Sequence, residues 1–127
     1  MRQAVSTDSA PAALGPYSQA IIANGFVFCS GTAGIDPDTG AVAEGIEAQA
    51  EQALRNLDAI LAAAGASLAT LVKTTILYQN VDDFAAINAV YARFMPEPPP
   101  ARSAPANVNL PRGLLISIDA IAVLPGA

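Results

Sequence analysis

At 127 residues the chain is long enough for one hydrophobic core but not comfortably two, so one domain spanning 1–127 is expected. Its hydrophobic share is 53% against 13% charged residues, which would leave a monomer with apolar surface in water and makes self-association the expected outlet. A net charge of −5 with Lys73 as the only lysine excludes a basic stripe for nucleic acid, and the lack of histidine removes the commonest general base and metal ligand.

No apolar run reaches the length of a membrane span, and no basic-then-apolar opening marks a signal peptide, so no membrane partner and a cytoplasmic location are expected. Cys29 is the single cysteine and has no partner for an internal disulfide.

In chain order, Arg2 to Val5 reads as a short strand followed by a loop of small and polar residues through Leu14. Gly15-Pro16-Tyr17-Ser18-Gln19 turns into extended structure. Ala20 to Ala23 and Phe26 to Ser30 flank Asn24-Gly25, a dipeptide suited to the positive φ angles of a type I′ hairpin. Ser30-Gly31-Thr32-Ala33-Gly34 leaves the second strand for a loop that includes the turn Asp36-Pro37-Asp38-Thr39-Gly40.

From about Gly45 the period becomes helical, with Ile46, Ala50, Ala53, Leu54, Leu57, Ile60, Leu61 and Ala64 at three- and four-residue steps. Gly65 stops this helix. The β-branched run Leu71 to Tyr78 predicts a strand with Val72, Thr74, Ile76 and Tyr78 on one face. Asp82 or Asp83 then caps a second helix whose buried stripe is Phe84, Ile87, Val90, Tyr91 and Phe94, ended by the prolines at 96–100.

Two further strands are expected, about Arg102 to Val108 and Leu114 to Leu124, joined by a short connection that sets them side by side. Pro105 lacks an amide donor and so predicts a bulge or an edge. In the last strand Leu114, Ile116, Ile118, Ala120 and Ala122 share a fully apolar face. The opposite face is still mostly apolar, and two helices cannot cover both sides of about six strands. The order β-β-β-α-β-α-β-β therefore predicts an α+β sandwich with both helices on one side and another subunit on the other.

Two residues stand out chemically. Arg102 offers a planar fork for a carboxylate, or else is a solvated arginine or half of an ion pair. Asp119, in an apolar strand, must be paired, hydrogen-bonded or protonated; it is a catalytic group or a satisfied structural carboxylate bonded to Arg102 or Tyr17. Tyr17 is a ligand hydroxyl or a core ring, and Ser30 and Gly31 offer amides to an anion or simply end a strand. Asn88 reads as a solvated helix position. No phosphate loop, dinucleotide fingerprint, Ser-His-Asp set or metal-ligand spacing occurs, leaving a cofactor-free small-molecule site.

The runs Gly15-Pro16-Tyr17-Ser18-Gln19-Ala20, Phe28-Cys29-Ser30-Gly31, Val72-Lys73-Thr74-Thr75, Asp83-Phe84, Asn88 to Tyr91, Pro100-Ala101-Arg102-Ser103 and Ile118-Asp119-Ala120-Ile121-Ala122 together resemble the Rid/YjgF family of reactive-intermediate imine/enamine deaminases. That resemblance implies a chorismate-mutase-like fold, a homotrimeric barrel with sites between subunits, and hydrolysis of 2-imino acids to 2-oxo acids and ammonia. It also implies Arg102 as the carboxylate holder, Asp119 and Tyr17 as further catalytic groups, and Ser30, Gly31, Thr32, Asn88 and Ala104 as substrate-binding positions. Asp119 stands where the family usually has glutamate, Thr32 where glutamine is common and Ala104 where cysteine is frequent. These departures keep two alternatives open: a non-catalytic carboxylate-binding or chaperone-like trimer, and a pathway-specific deaminase.

Overall fold

The computed structural model describes residues 1–126, which form six strands and two helices. The strands are β1 (Arg2–Val5), β2 (Ala20–Ala23), β3 (Phe26–Ala33), β4 (Leu71–Tyr78), β5 (Ala101–Ser103) and β6 (Ile116–Val123). The helices are α1 (Ile46–Ala63) and α2 (Phe84–Ala92). One mixed sheet runs in the order β1-β2-β3-β6-β4-β5, antiparallel throughout except for the β4/β5 pair. The α+β class, six strands and two helices agree with the sequence reading.

Asn24 and Gly25 take φ angles of 56° and 82°, so the β2/β3 hairpin turns where the sequence says it must. β3 differs from expectation, because it continues to Ala33 rather than ending at Ser30. A bulge makes this possible: Cys29 pairs with Ala120 and Thr32 with Ile118, so Ser30 and Gly31 together face Asp119. A Cβ on Gly31 would lie 2.8 Å from Ser117 Oγ, which is why a glycine suits this close crossing.

α1 starts after Gly45 and stops at Gly65, whose φ of 86° lets the following amide return to Leu61. Its apolar stripe is buried as the periodicity requires, with Leu54, Leu57 and Leu61 fully enclosed. Two polar residues share that stripe. Gln49 accepts from the Leu115 amide at 2.8 Å, and Asn56 donates to the carbonyls of Ala33 and Ile35 at 2.9 and 2.8 Å. These side chains fasten α1 to the end of β3 and to the backbone entering β6.

Three local expectations are corrected. A bulge between Leu71 and Lys73 shifts the register of β4, so Leu71 is buried and Val72 is 40% exposed, although Thr74, Ile76 and Tyr78 share the buried face as expected. Neither Asp82 nor Asp83 caps α2 with its side chain, because a 3-10 turn over Val81–Asp83 leads into the helix. β5 spans only three residues and pairs in parallel with β4, so β4 lies between the Arg102 and Asp119 strands. Pro105 explains the short length: with no amide to donate, it accepts from Tyr78 through its carbonyl while β5 forms the sheet edge.

Both helices pack on one face of the sheet, where Val27, Ile76, Ile116, Ile118 and Ala122 form the core with α1. The other face keeps Phe26 and Phe28 substantially exposed, their rings 6.1 Å apart. The half-buried residues Ser117, Asp119, Ile121 and Val123 lie on that face of β6.

Candidate active site

Six of the expected site residues fall into two separate hollows with no residue in common, while Asp119 and Ala104 line neither. The first, a cavity of about 440 Å³, sits at the bulged end of β3 and is lined by Tyr17, Ser30, Gly31 and Thr32 together with Leu14 and Ile35. The second, a groove of about 410 Å³ beside α2 and the proline run, is lined by Arg102 and Asn88.

Local bonds explain the shape of the first. Gln19 is buried and ties down the incoming segment, accepting from the Thr7 amide at 2.7 Å and donating to the Pro11 carbonyl at 2.8 Å. Ser30 Oγ donates to the Ser18 carbonyl at 2.6 Å, and Thr32 Oγ1 donates to the Ser30 carbonyl at 2.9 Å. Both hydroxyls are thus engaged with backbone, and the bulge they hold presents Gly31 at the cavity wall. Tyr17 is 52% exposed and its hydroxyl accepts from the Leu14 amide at 3.2 Å, so it is a rim group and not a core ring. Arg112, at the cavity mouth, donates to the Gly40 carbonyl at 3.3 Å. Sequence reasoning missed Gln19, Gln49, Asn56 and Arg112. A signal was available for two of them, since Gln49 and Asn56 are seven residues apart on the apolar stripe of α1.

Arg102 is half-buried against α2. Its Nη1 donates to Asn88 Oδ1 at 2.8 Å, and its guanidinium carbon lies 5.0 Å from the Tyr91 ring centre and 5.6 Å from that of Phe84. Among the described residues the salt bridges join only Glu51 to Arg55 and Arg93, so no carboxylate neutralises Arg102. The structural reading in which Asp119 is bonded to Arg102 is therefore set aside. Asp119 pairs with Thr75 on the opposite face of the sheet, whereas Arg102 pairs with Thr74, whose hydroxyl points under α2 to Tyr91.

Asp119 faces the Ser30-Gly31 bulge, and its charge is felt at the neighbouring strand. Burial first, and Asp119 second, push the Cys29 thiol up to about 12, which leaves that sulfur a packed, unreactive group. Ala104 lines neither hollow of the single chain and packs, partly buried, against the core. Among the described residues no cluster of histidine, cysteine and carboxylates could hold a metal ion.

Reactive Intermediate Deaminase A, chloroplastic, from Arabidopsis thaliana is 49% identical over 124 residues, covering 97% of this chain; the chain spans 66% of that protein's length. The 2-iminobutanoate/2-iminopropanoate deaminase of Salmonella typhimurium is 44% identical over 97% of this chain and 98% of its own. Among solved structures, RidA from the Antarctic bacterium Psychrobacter sp. PAMC 21119 superposes with a TM-score of 0.93 at 43% identity, covering 96% of this chain and 99% of that one. The family model described as Endoribonuclease L-PSP matches residues 7–124, and the chain therefore belongs to that family, the Rid/YjgF proteins.

Proposed function

We propose that this protein is a single-domain, cofactor-free deaminase that hydrolyses 2-imino acids of the 2-iminobutanoate and 2-iminopropanoate type to 2-oxo acids and ammonia. The observation that carries this reading is the end-to-end similarity to a Salmonella protein bearing that activity in its name, at 44% identity. The geometry supports it, since Arg102 offers a positive fork that no side chain among the described residues neutralises.

Arg102 binds the substrate carboxylate through two parallel hydrogen bonds. Water adds to the imine carbon, forming the new C–O bond while the nitrogen takes up a proton. The resulting carbinolamine expels ammonia as its hydroxyl proton departs and the C=O bond forms. The imine carbon is already electrophilic, so positioning and proton transfer suffice, and no histidine is needed. Asp119 orients and deprotonates the water, Tyr17 closes the rim, and the backbone around Gly31 faces the developing charge.

Arg102 and the Tyr17–Gly31 cavity lie apart within one chain, which supports a site assembled between copies. A homotrimer satisfies this and also covers the exposed Phe26 and Phe28. In that assembly Ser30, Thr32 and Asn88 shape the site from the positions described above. None of the described helices is long and apolar enough to cross a membrane, and a cytoplasmic location completes the reading; the Arabidopsis relative is named chloroplastic. An endoribonuclease role rests on the family description, and the net charge of −5 opposes it.

The test couples the protein to an amino acid oxidase that generates imines and follows their trapping by semicarbazide. Wild type should suppress trapping, and Arg102→Lys should lose most of that effect, because an ammonium cannot reproduce a two-point grip. Unchanged trapping with wild type across several amino acids would refute the proposal.

A further inference from the structure

We propose that Asn88 is a positioning residue: with the rings of Tyr91 and Phe84 it holds the Arg102 guanidinium in place using only neutral groups, and it does not touch the substrate. This rests on the carboxylate-binding role given to Arg102 above. Phe84, Asn88 and Tyr91 stand at i, i+4 and i+7 on α2, so one face of the helix presents all three to the same strand. The Asn88 carbonyl oxygen takes one Nη1 proton at 2.8 Å, and the two rings stack the cation at 5.0 and 5.6 Å.

The Tyr91 ring is itself fixed. Its hydroxyl is 2.6 Å from Thr74 Oγ1, and Thr74 is fully buried and is the register partner of Arg102 in β4. A closed loop therefore runs from the β5 backbone through Thr74 and Tyr91 back to the guanidinium. Phe84 is braced in turn by the Tyr78 ring, stacked at 6.2 Å.

The neutrality of the clamp has a chemical purpose. A carboxylate at position 88 would hold the fork equally well but would cancel its charge before substrate arrived. An amide oxygen orients one edge of the guanidinium and leaves the full positive charge, with the other donors, for an organic acid. Asn88 engages Arg102 through its oxygen in this geometry, whereas a direct substrate contact would require its amide hydrogens to reach the carboxylate.

The test is a double-mutant cycle on 2-oxobutanoate affinity, measured by calorimetry on the full-length protein, with steady-state deamination alongside. Asn88→Ala should weaken binding about tenfold, mostly in KM, and Arg102→Ala about a hundredfold. The double variant should match Arg102→Ala within about twofold. Asn88→Asp should bind more weakly than Asn88→Ala. Additive losses in the cycle, or wild-type affinity in Asn88→Asp, would overturn the inference.

Alanine suits a helix interior, so Asn88→Ala should keep its melting temperature within a few degrees. A ligand-independent readout separates this inference from the assigned reaction. The Arg102 side-chain nitrogens should give a resolved, slowly rotating guanidinium signal by NMR in wild type that collapses in Asn88→Ala. A freely rotating guanidinium in wild type would sink the clamp whether or not the protein deaminates anything.

Discussion

Asn56→Ala would test the account of how α1 holds the cavity wall. Asn56 is 1% exposed, and its amide donates to two carbonyls, Ala33 and Ile35, on the stretch where β3 gives way to loop. Alanine removes both donors. It also deprives Gln52 Nε2 of its acceptor at 2.9 Å, although that group reaches solvent more easily. Each buried carbonyl left without a donor costs about 1–3 kcal/mol, so the loss for the two should be roughly 2–6 kcal/mol. For a domain of this size each kcal/mol lowers Tm by about 4 °C, giving a fall of roughly 8–24 °C.

Urea unfolding at fixed protein concentration, followed by circular dichroism, is the assay; concentration must be held because self-association adds to apparent stability. The midpoint should drop with little change in m, and Asn56→Asp should be at least as damaging because it sets a carboxylate against two carbonyl oxygens. A loss below about 1 kcal/mol would refute the claim that Asn56 is the fastener of this segment. Because Ala33 and Ile35 line the Tyr17 cavity, imine trapping should also fall at temperatures well below the midpoint.

Gly34→Ala should cost roughly 3 kcal/mol, since its Cβ would lie 2.5 Å from the Gln49 carbonyl oxygen and 2.6 Å from Gln49 Cα, backbone atoms that cannot rotate away; a denaturation midpoint like wild type would contradict this. The raised Cys29 thiol predicts a pH effect of defined sign. The folded form resists ionisation up to about 12 while the unfolded thiol ionises near 9.0, so this contribution is whole below pH 9 and is lost as pH climbs toward 12. Wild type should lose up to about 1.4 kcal/mol per pH unit more than Cys29→Ala across that window, and parallel curves would refute the burial argument. Phe28→Lys places a charge on the exposed sheet face and should shift the protein toward monomer by analytical ultracentrifugation, with loss of imine trapping; an unchanged assembly mass would show that this face is not the interface.

Local rules made much of this protein legible. Asn24-Gly25 dictates its hairpin through backbone sterics alone, and the spacing from Ile46 to Ala64 dictates a buried helix stripe because side chains three and four apart share one side. Alternation in β6 likewise told which residues face the core, since successive side chains on a strand must point oppositely. Arg102 and Asp119 were recognisable because a fork in an edge segment and an acid in an apolar strand each demand a chemical explanation.

What tertiary structure alone decided was where these groups meet. β4 lies between β5 and β6, and its register sets Arg102 beside Thr74 under α2 and Asp119 beside Thr75 on the opposite face; strand order and register depend on long-range pairing energies that no local pattern encodes. The bulges at Ser30-Gly31 and Leu71–Lys73 shift the register by one residue, and so expose Val72 and carry β3 on to Ala33. Asn88 looked like a solvated helix position until packing brought the Arg102 guanidinium to its oxygen, a contact between residues 14 apart that only the folded chain creates.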